Sequence, residues 1–540
     1  MIPPLDATTP LSDETIRTRI ATGTLDDIED LFDLLWYDLP GRFAPEILAV
    51  VRGLDSVVFE QRPRLLQAAL LAHHRAEVGE RDPELVKVLH IFAAQGRGYA
   101  TRLVSFTKPA DLVTAGTIAV ISARLRGAYE ESERLGAWTD KQLVLRGRPT
   151  VMPWALGHVA AKPGWLSTQR GITVMLAGRL DQATHLYARA HADAGPPPHA
   201  HYAGANALAN LALIAAYRGH LDLARTWLLT LENNGPLPDW IEHLTTLGAK
   251  IARALIAIEE ADTDGARQAL DQVGPATQSM ELWPFIAYAR ASYAAVFGDP
   301  HGALVELDEA RTGHGALEPD PTTLVGELIL RSKAKLLLRA EEGNRLLRLA
   351  DTYPEVLSLK QHVAWAHLVS GEPHEAIRAT AQALEQLQVP VPDMMSLHLA
   401  MAVAHLRTGN KRYAATAFRK ALRLRASAQH VKPFLTAEPD DLNQLAQLID
   451  LPNPLINRPI PRVNIPRATM LVRLSRRERA VLAALADGDT AEQAAARFDV
   501  SPNTVRTQIK SIYRKLGVTR RAAALARAQQ LGLLNDPNNH

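Results

Sequence analysis

At 540 residues the chain is several times the usual size of one globular domain, so several structural units or a repeat array are expected. A composition of 47% hydrophobic but only 5% aromatic residues favours helices over sheets, and the lack of cysteine excludes disulfide scaffolds, thiolate zinc sites and cysteine nucleophiles. The formal charge of +2 hides a segregation: from Leu471 to Leu534 twelve Arg and Lys face five Asp and Glu, a net +7 that leaves −5 for the remainder. That is the footprint of a polyanion-binding module on a mildly acidic body. The start, Met1-Ile2-Pro3-Pro4-Leu5-Asp6, has no basic block followed by an apolar one, so no signal peptide is read there. No apolar run approaches the roughly 20 residues that span a bilayer, and the expectation is a soluble, cytoplasmic, all-α protein with no membrane partner.

Taken in chain order, residues 1–150 read as an irregular helical region. Asp26 to Leu35 and Pro63 to Ala72 are amphipathic, with turns expected at Gly23-Thr24-Leu25-Asp26 and Gly79-Glu80-Arg81-Asp82. Residues 151–450 repeat a pattern of apolar helix, short turn, then Ala with apolar or small residues four and seven positions on. The anchoring alanines are Ala183, Ala224, Ala266, Ala303, Ala376 and Ala414, spaced by 41, 42, 37, 73 and 38 residues, and the double interval leaves room for one degenerate unit around Leu336 to Tyr353. Each unit is expected to be a helix hairpin in which Gly reverses the chain, Asp or Asn caps the second helix, and Ala lets the helices approach closely. One hairpin cannot bury the resulting apolar face, so the hairpins must stack. From about Gly171 to Leu424 this pattern resembles the tetratricopeptide repeat, with a somewhat longer period. An irregular helical bundle is the plainer alternative. Residues 451–467 hold five prolines, Pro452, Pro454, Pro459, Pro461 and Pro466, and read as a semi-extended linker.

Residues 468–535 carry the informative motif. Ser475 and Glu478 form a capping box, Val481, Leu482 and Leu485 an apolar stripe, and Gly488 a stop. A short helix follows from Ala491 to Phe498. Ser501-Pro502-Asn503-Thr504 then starts a third helix, with Ser501 as cap and Pro502 at the first helical position. That helix, Pro502 to Leu516, places Val505, Ile509, Ile512 and Leu516 on a buried face and Arg506, Thr507, Lys510 and Arg514 opposite, with Lys515 nearby. Gly517 closes it, and a fourth helix runs from Thr519 to about Gln530. This sequence of cap, turn, core and basic face closely resembles the LuxR-type helix-turn-helix, a wingless four-helix domain of bacterial regulators. Ala494 stands where that family usually has Ile, and Gln508 where it often has His. The resemblance implies a double-stranded DNA partner at promoter sites, with the third helix in the major groove. Arg506, Thr507 and Lys510 then face base edges, and Thr504, Arg514 and Lys515 mainly hold phosphates. Ser501, Asn503, Val505, Gln508 and Ser511 complete the implied DNA-binding set. Ala522, Leu525 and Ala526 on the fourth helix match the family's dimerisation surface, which implies a homodimer on DNA.

Large LuxR-type regulators of the maltose-regulator group carry an ATPase ahead of helical repeats, but this sequence has no Gly-x-x-x-x-Gly-Lys-Ser/Thr loop to wrap phosphates. His73-His74 and His199-Ala200-His201 lack a third ligand at zinc spacing, and no serine elbow is present, so no metal, cofactor or catalytic residue is assigned and an enzyme is not expected. The expectation is a transcription regulator whose array senses a peptide, protein or small-molecule effector and controls the head. The rival is an interaction scaffold with a non-specific or vestigial head, and sequence-selective, salt-dependent DNA retention separates the two.

Overall fold

The computed structural model describes residues 11–35, 39–76, 83–146, 162–195, 202–276, 281–316, 318–385, 390–425, 430–456, 463–464 and 471–534. Among these there are helices and no strand, as the Ala- and Leu-rich, aromatic-poor composition dictates. The chain divides into two compact units: residues 1–255 with 269–283 and 322–325, and residues 256–268, 284–321 and 326–540.

The first unit opens with short helices, including Asp13–Thr22, Leu25–Leu34 and Pro63–Ala76, around a core that contains Ile20, Leu31, Phe32, Phe43 and Phe59. The expected turn at Gly23 is present, because Thr24 and Asp27 form a reciprocal capping box at the start of the second helix. The turn expected at Gly79 to Asp82 lies outside the described residues. Further along, Trp165–Leu176 pairs with Leu180–Ala194, and Ala203–Arg218 with Leu221–Asn233. Ala183 and Ala224 are fully buried at these helix contacts. Gly171 shows why small residues are needed: a Cβ there would sit 2.7 Å from the ring of buried Tyr187.

The same hairpin recurs in the second unit as Lys360–Val369 with Pro373–Leu384 and as Val391–Arg407 with Lys411–Arg425, where Ala376 and Ala414 are fully buried. The degenerate unit is also a helix pair, Leu324–Arg339 followed by Gly343–Thr352. The caps differ from expectation in part. Asp299 accepts hydrogen bonds from the backbone N–H of His301 and Gly302, but the cap positions before Leu180 and Leu221 are Arg179 and His220, without side-chain caps. Asp181 and Asp222 sit instead inside the first turn, where a carboxylate favours the positive end of the helix dipole.

Candidate nucleic-acid interface

Four helices make the head: Arg476–Ala486, Ala491–Arg497, Pro502–Leu516 and Arg521–Gln530. Val481, Leu482, Leu485, Ala494, Val505, Ile512, Leu516, Ala524 and Ala528 share one core. Local chemistry fixes each end. Ser475 and Glu478 close a capping box, Thr490 and Gln493 close another, and the Ser501 hydroxyl accepts the Thr504 N–H at 3.1 Å. Gly517 ends the third helix at φ 69°, a left-handed conformation that glycine adopts without cost. The fourth helix begins at Arg521, two residues later than Thr519, and the Arg521 guanidinium donates to the Leu485 carbonyl at 2.5 Å.

The third helix is oriented by one buried acid. Glu478, 6% exposed, accepts from its own cap N–H at Ser475 (2.7 Å), from the Ser511 hydroxyl (2.8 Å) and from the Lys515 ammonium (2.6 Å). Burial opposes its charge. The bonds from Lys515, Ser475 and Ser511 overcome that opposition and hold its pKa at about 2. The capping box was legible in the sequence, but the bonds to Ser511 and Lys515, 33 and 37 residues away, had no local signal.

With one face pinned to the core, the other faces outward. Ser501, Asn503, Thr504, Arg506, Thr507, Lys510 and Arg514 are exposed, and Gln508, Ser511 and Lys515 are half-buried. Arg506 donates to Glu492 at 2.5 Å and to Asn503 Oδ1 at 3.2 Å, and the Thr507 hydroxyl returns to the Asn503 carbonyl at 2.9 Å. Three residues of the expected DNA-binding set are engaged within the fold. Val505 is fully buried, so its side chain serves the core. Lys515 and Ser511 are committed to Glu478, which gives them a bracing place within the fold. On the fourth helix Ala522 and Ala526 are exposed and Leu525 is half-buried.

The profile of the family described as "Bacterial regulatory proteins, luxR family" matches residues 472–528. The head is a luxR-family helix-turn-helix domain. Relatives bear this out. The probable transcriptional regulatory protein SgaR of Hyphomicrobium methylovorum is 40% identical over 91 residues, 17% of this chain and 42% of that protein. The probable transcriptional regulatory protein NarL of Mycobacterium tuberculosis is 47% identical over 62 residues, 12% of this chain and 29% of its own. The HTH-type transcriptional regulator MalT of Klebsiella pneumoniae is 40% identical over 72 residues, 13% of this chain and 8% of its own. The chain therefore matches less than half the length of each of these relatives.

The luxR-family domain is attached to the helices before it by polar contacts that leave the outward face of its third helix exposed. The Val472 N–H donates to buried Asn344 at 2.7 Å, Arg473 pairs with Glu375 at 2.6 Å and meets His367 Nε2 at 3.0 Å, and Arg479 pairs with Asp351 at 2.6 Å. Among the described residues no group of three or more His, Cys, Asp and Glu could hold a metal ion. His199 and His201 lie outside those residues. No described helix is long and apolar enough to cross a membrane.

Proposed function

We propose that this protein is a sequence-specific, double-stranded DNA-binding transcription regulator, organised as an irregular helical region (1–150), a tetratricopeptide-like array (151–450), a linker (451–467) and the DNA-binding head (468–535). The observation that carries this reading is the outward row Arg506, Thr507, Lys510 and Arg514 on a helix whose opposite face is locked by Val505, Ile512, Leu516 and the Glu478 brace. Arg506 and Lys510 lie one helical turn apart, the spacing at which two donors meet neighbouring base edges in a major groove. Arg514 and Thr504 flank them for phosphate contact. Ala522, Leu525 and Ala526 provide a small-residue face on which a second copy docks on DNA. The array senses a peptide, protein or small-molecule signal and controls the head. No catalytic step is assigned to any residue.

Chromatin immunoprecipitation of the full chain, compared with Arg506→Ala/Lys510→Ala, tests the DNA reading. Discrete sites lost in the double variant are the expected result. At roughly 1–3 kcal/mol per base contact, each substitution weakens specific binding about 5- to 150-fold. Footprints that persist in the double variant, with helical content unchanged, would show that the reading helix is wrongly assigned.

A further inference from the structure

Helix Leu324–Arg339 carries Arg331, Lys335 and Arg339 at four-residue spacing, and so on one face. That face borders a cavity of about 50 Å³ whose walls include His362, Trp365 and Asp393 and, from the turn Lys432–Thr436, Lys432. Among the described residues three carboxylates are near, and each is already matched: Asp393 and Glu327 with Arg331, and Glu259 with Lys432 and His430. Lys335 and Arg339 have neutral partners only in the described contacts. The Lys335 ammonium donates to the Ser292 hydroxyl at 2.6 Å and lies 4.2 Å from the Tyr288 ring centroid, while the Arg339 guanidinium donates to the Thr436 hydroxyl at 2.7 Å and to the Asn464 carbonyl. His362, 7% exposed, also lines the cavity, and its Nε2 has no hydrogen-bond partner among the described residues.

Cations enclosed without counter-charge are costly, and an unpaired buried ring nitrogen adds to the cost. The strain of charge is visible in the pKa directions. Burial lowers Arg339 to about 10. Burial, then Lys432 and Arg331, pushes Lys335 well below the usual lysine range. Burial, then Lys335, Arg331, Arg339 and Lys432, keeps His362 neutral. A ligand bearing negative charge relieves all three groups at once.

We propose that this cavity is an effector site for a small oxyanion group, carboxylate or phosphate, held by Lys335, Arg339 and His362. At roughly 10–15 Å³ per water-sized group the space admits such a group and not a sugar ring. The site touches the linker. Arg339 holds the carbonyl of Asn464 in the linker, and Asn464 is further fixed through its N–H to the Val296 carbonyl (2.8 Å) and its side-chain amide to the Gly298 carbonyl (2.7 Å). Val463 packs against the cluster of Val296, Val431 and Leu435. Bound anion shares the guanidinium that clasps the linker at Asn464. This assignment names the effector class for the sensing role proposed above and rests on it for its regulatory meaning.

Equilibrium dialysis of the full chain at constant ionic strength, with labelled inorganic phosphate in one arm and acetate in the other against a chloride background, tests the site. Saturable one-site binding of at least one anion, weakened tenfold or more in both Lys335→Gln and Arg339→Gln, is expected. No saturable binding of either anion to the wild-type chain overturns the assignment, whatever the variants do, and so does unchanged binding in either folded variant. Promoter-DNA affinity measured with and without the anion separates the two claims: binding that leaves DNA affinity unchanged keeps the site and overturns the sensing role. DNA binding with no anion binding overturns the site alone.

Discussion

Removing the charge of Glu478 gives the most direct check on how the third helix of the head is held. Shifting a carboxyl from its ordinary 4.5 to about 2 contributes about 3 kcal/mol to folding at neutral pH, at about 1.4 kcal/mol per pH unit. Glu478→Gln keeps the shape and loses that contribution, so the head should open more readily while the preceding helices are unaffected. Hydrogen exchange of the full chain, followed by mass spectrometry on peptides from 476–516, reads the change. About 3 kcal/mol corresponds to roughly hundredfold faster exchange in those peptides. The pH sign follows from the same shift. Because the folded pKa lies below the unfolded one, the stabilisation is complete above about 4.5 and drains away as pH falls toward about 2. A Glu478→Gln head whose exchange changes less than threefold, or a wild-type head equally protected at pH 3 and pH 7, would refute the brace.

Three further outcomes are expected. Gly171→Leu places side-chain atoms where even a Cβ lies 2.7 Å from the Tyr187 ring, so it should destabilise the first unit by about 3 kcal/mol or more, seen as a lower melting temperature; Gly313→Ala, with open space around its Cβ position, serves as the control. Asp351→Asn/Glu375→Gln removes both ion pairs that fasten the head, each worth up to about 1 kcal/mol at the surface, and should speed exchange around Val472 severalfold. Raising salt from 50 to 500 mM should loosen the same segment in the wild-type chain but not in that double variant, because exposed pairs are screened.

Much of the head was legible because its signals are local. Ser475, Thr490 and Ser501 lie next to the helices they start, Gly517 closes the third, and its bounds, Pro502 to Leu516, match the sequence reading. The repeat rhythm was legible for the same reason: alanines at fixed distances after a turn mark helix contacts whatever the rest of the hairpin contains. Long-range chemistry was not. Nothing near Glu478 announces Ser511 and Lys515, and nothing near Arg339 announces Asn464, 125 residues away. The helical pattern puts Val505 on the buried face while the resemblance puts it among the DNA contacts, and in the fold its side chain is buried in the core. Asp181 and Asp222 follow a turn, a strong cap signal, yet the caps stand two positions earlier, at Arg179 and His220.

The brace at Glu478 has a consequence for how such a protein diversifies. Ser511 and Lys515 fasten the rod from its inner and far sides, while Arg506, Thr507 and Lys510 take no part in the core. Display and scaffold are thereby decoupled: the three outward side chains can be exchanged for others without any refolding of the surface that carries them.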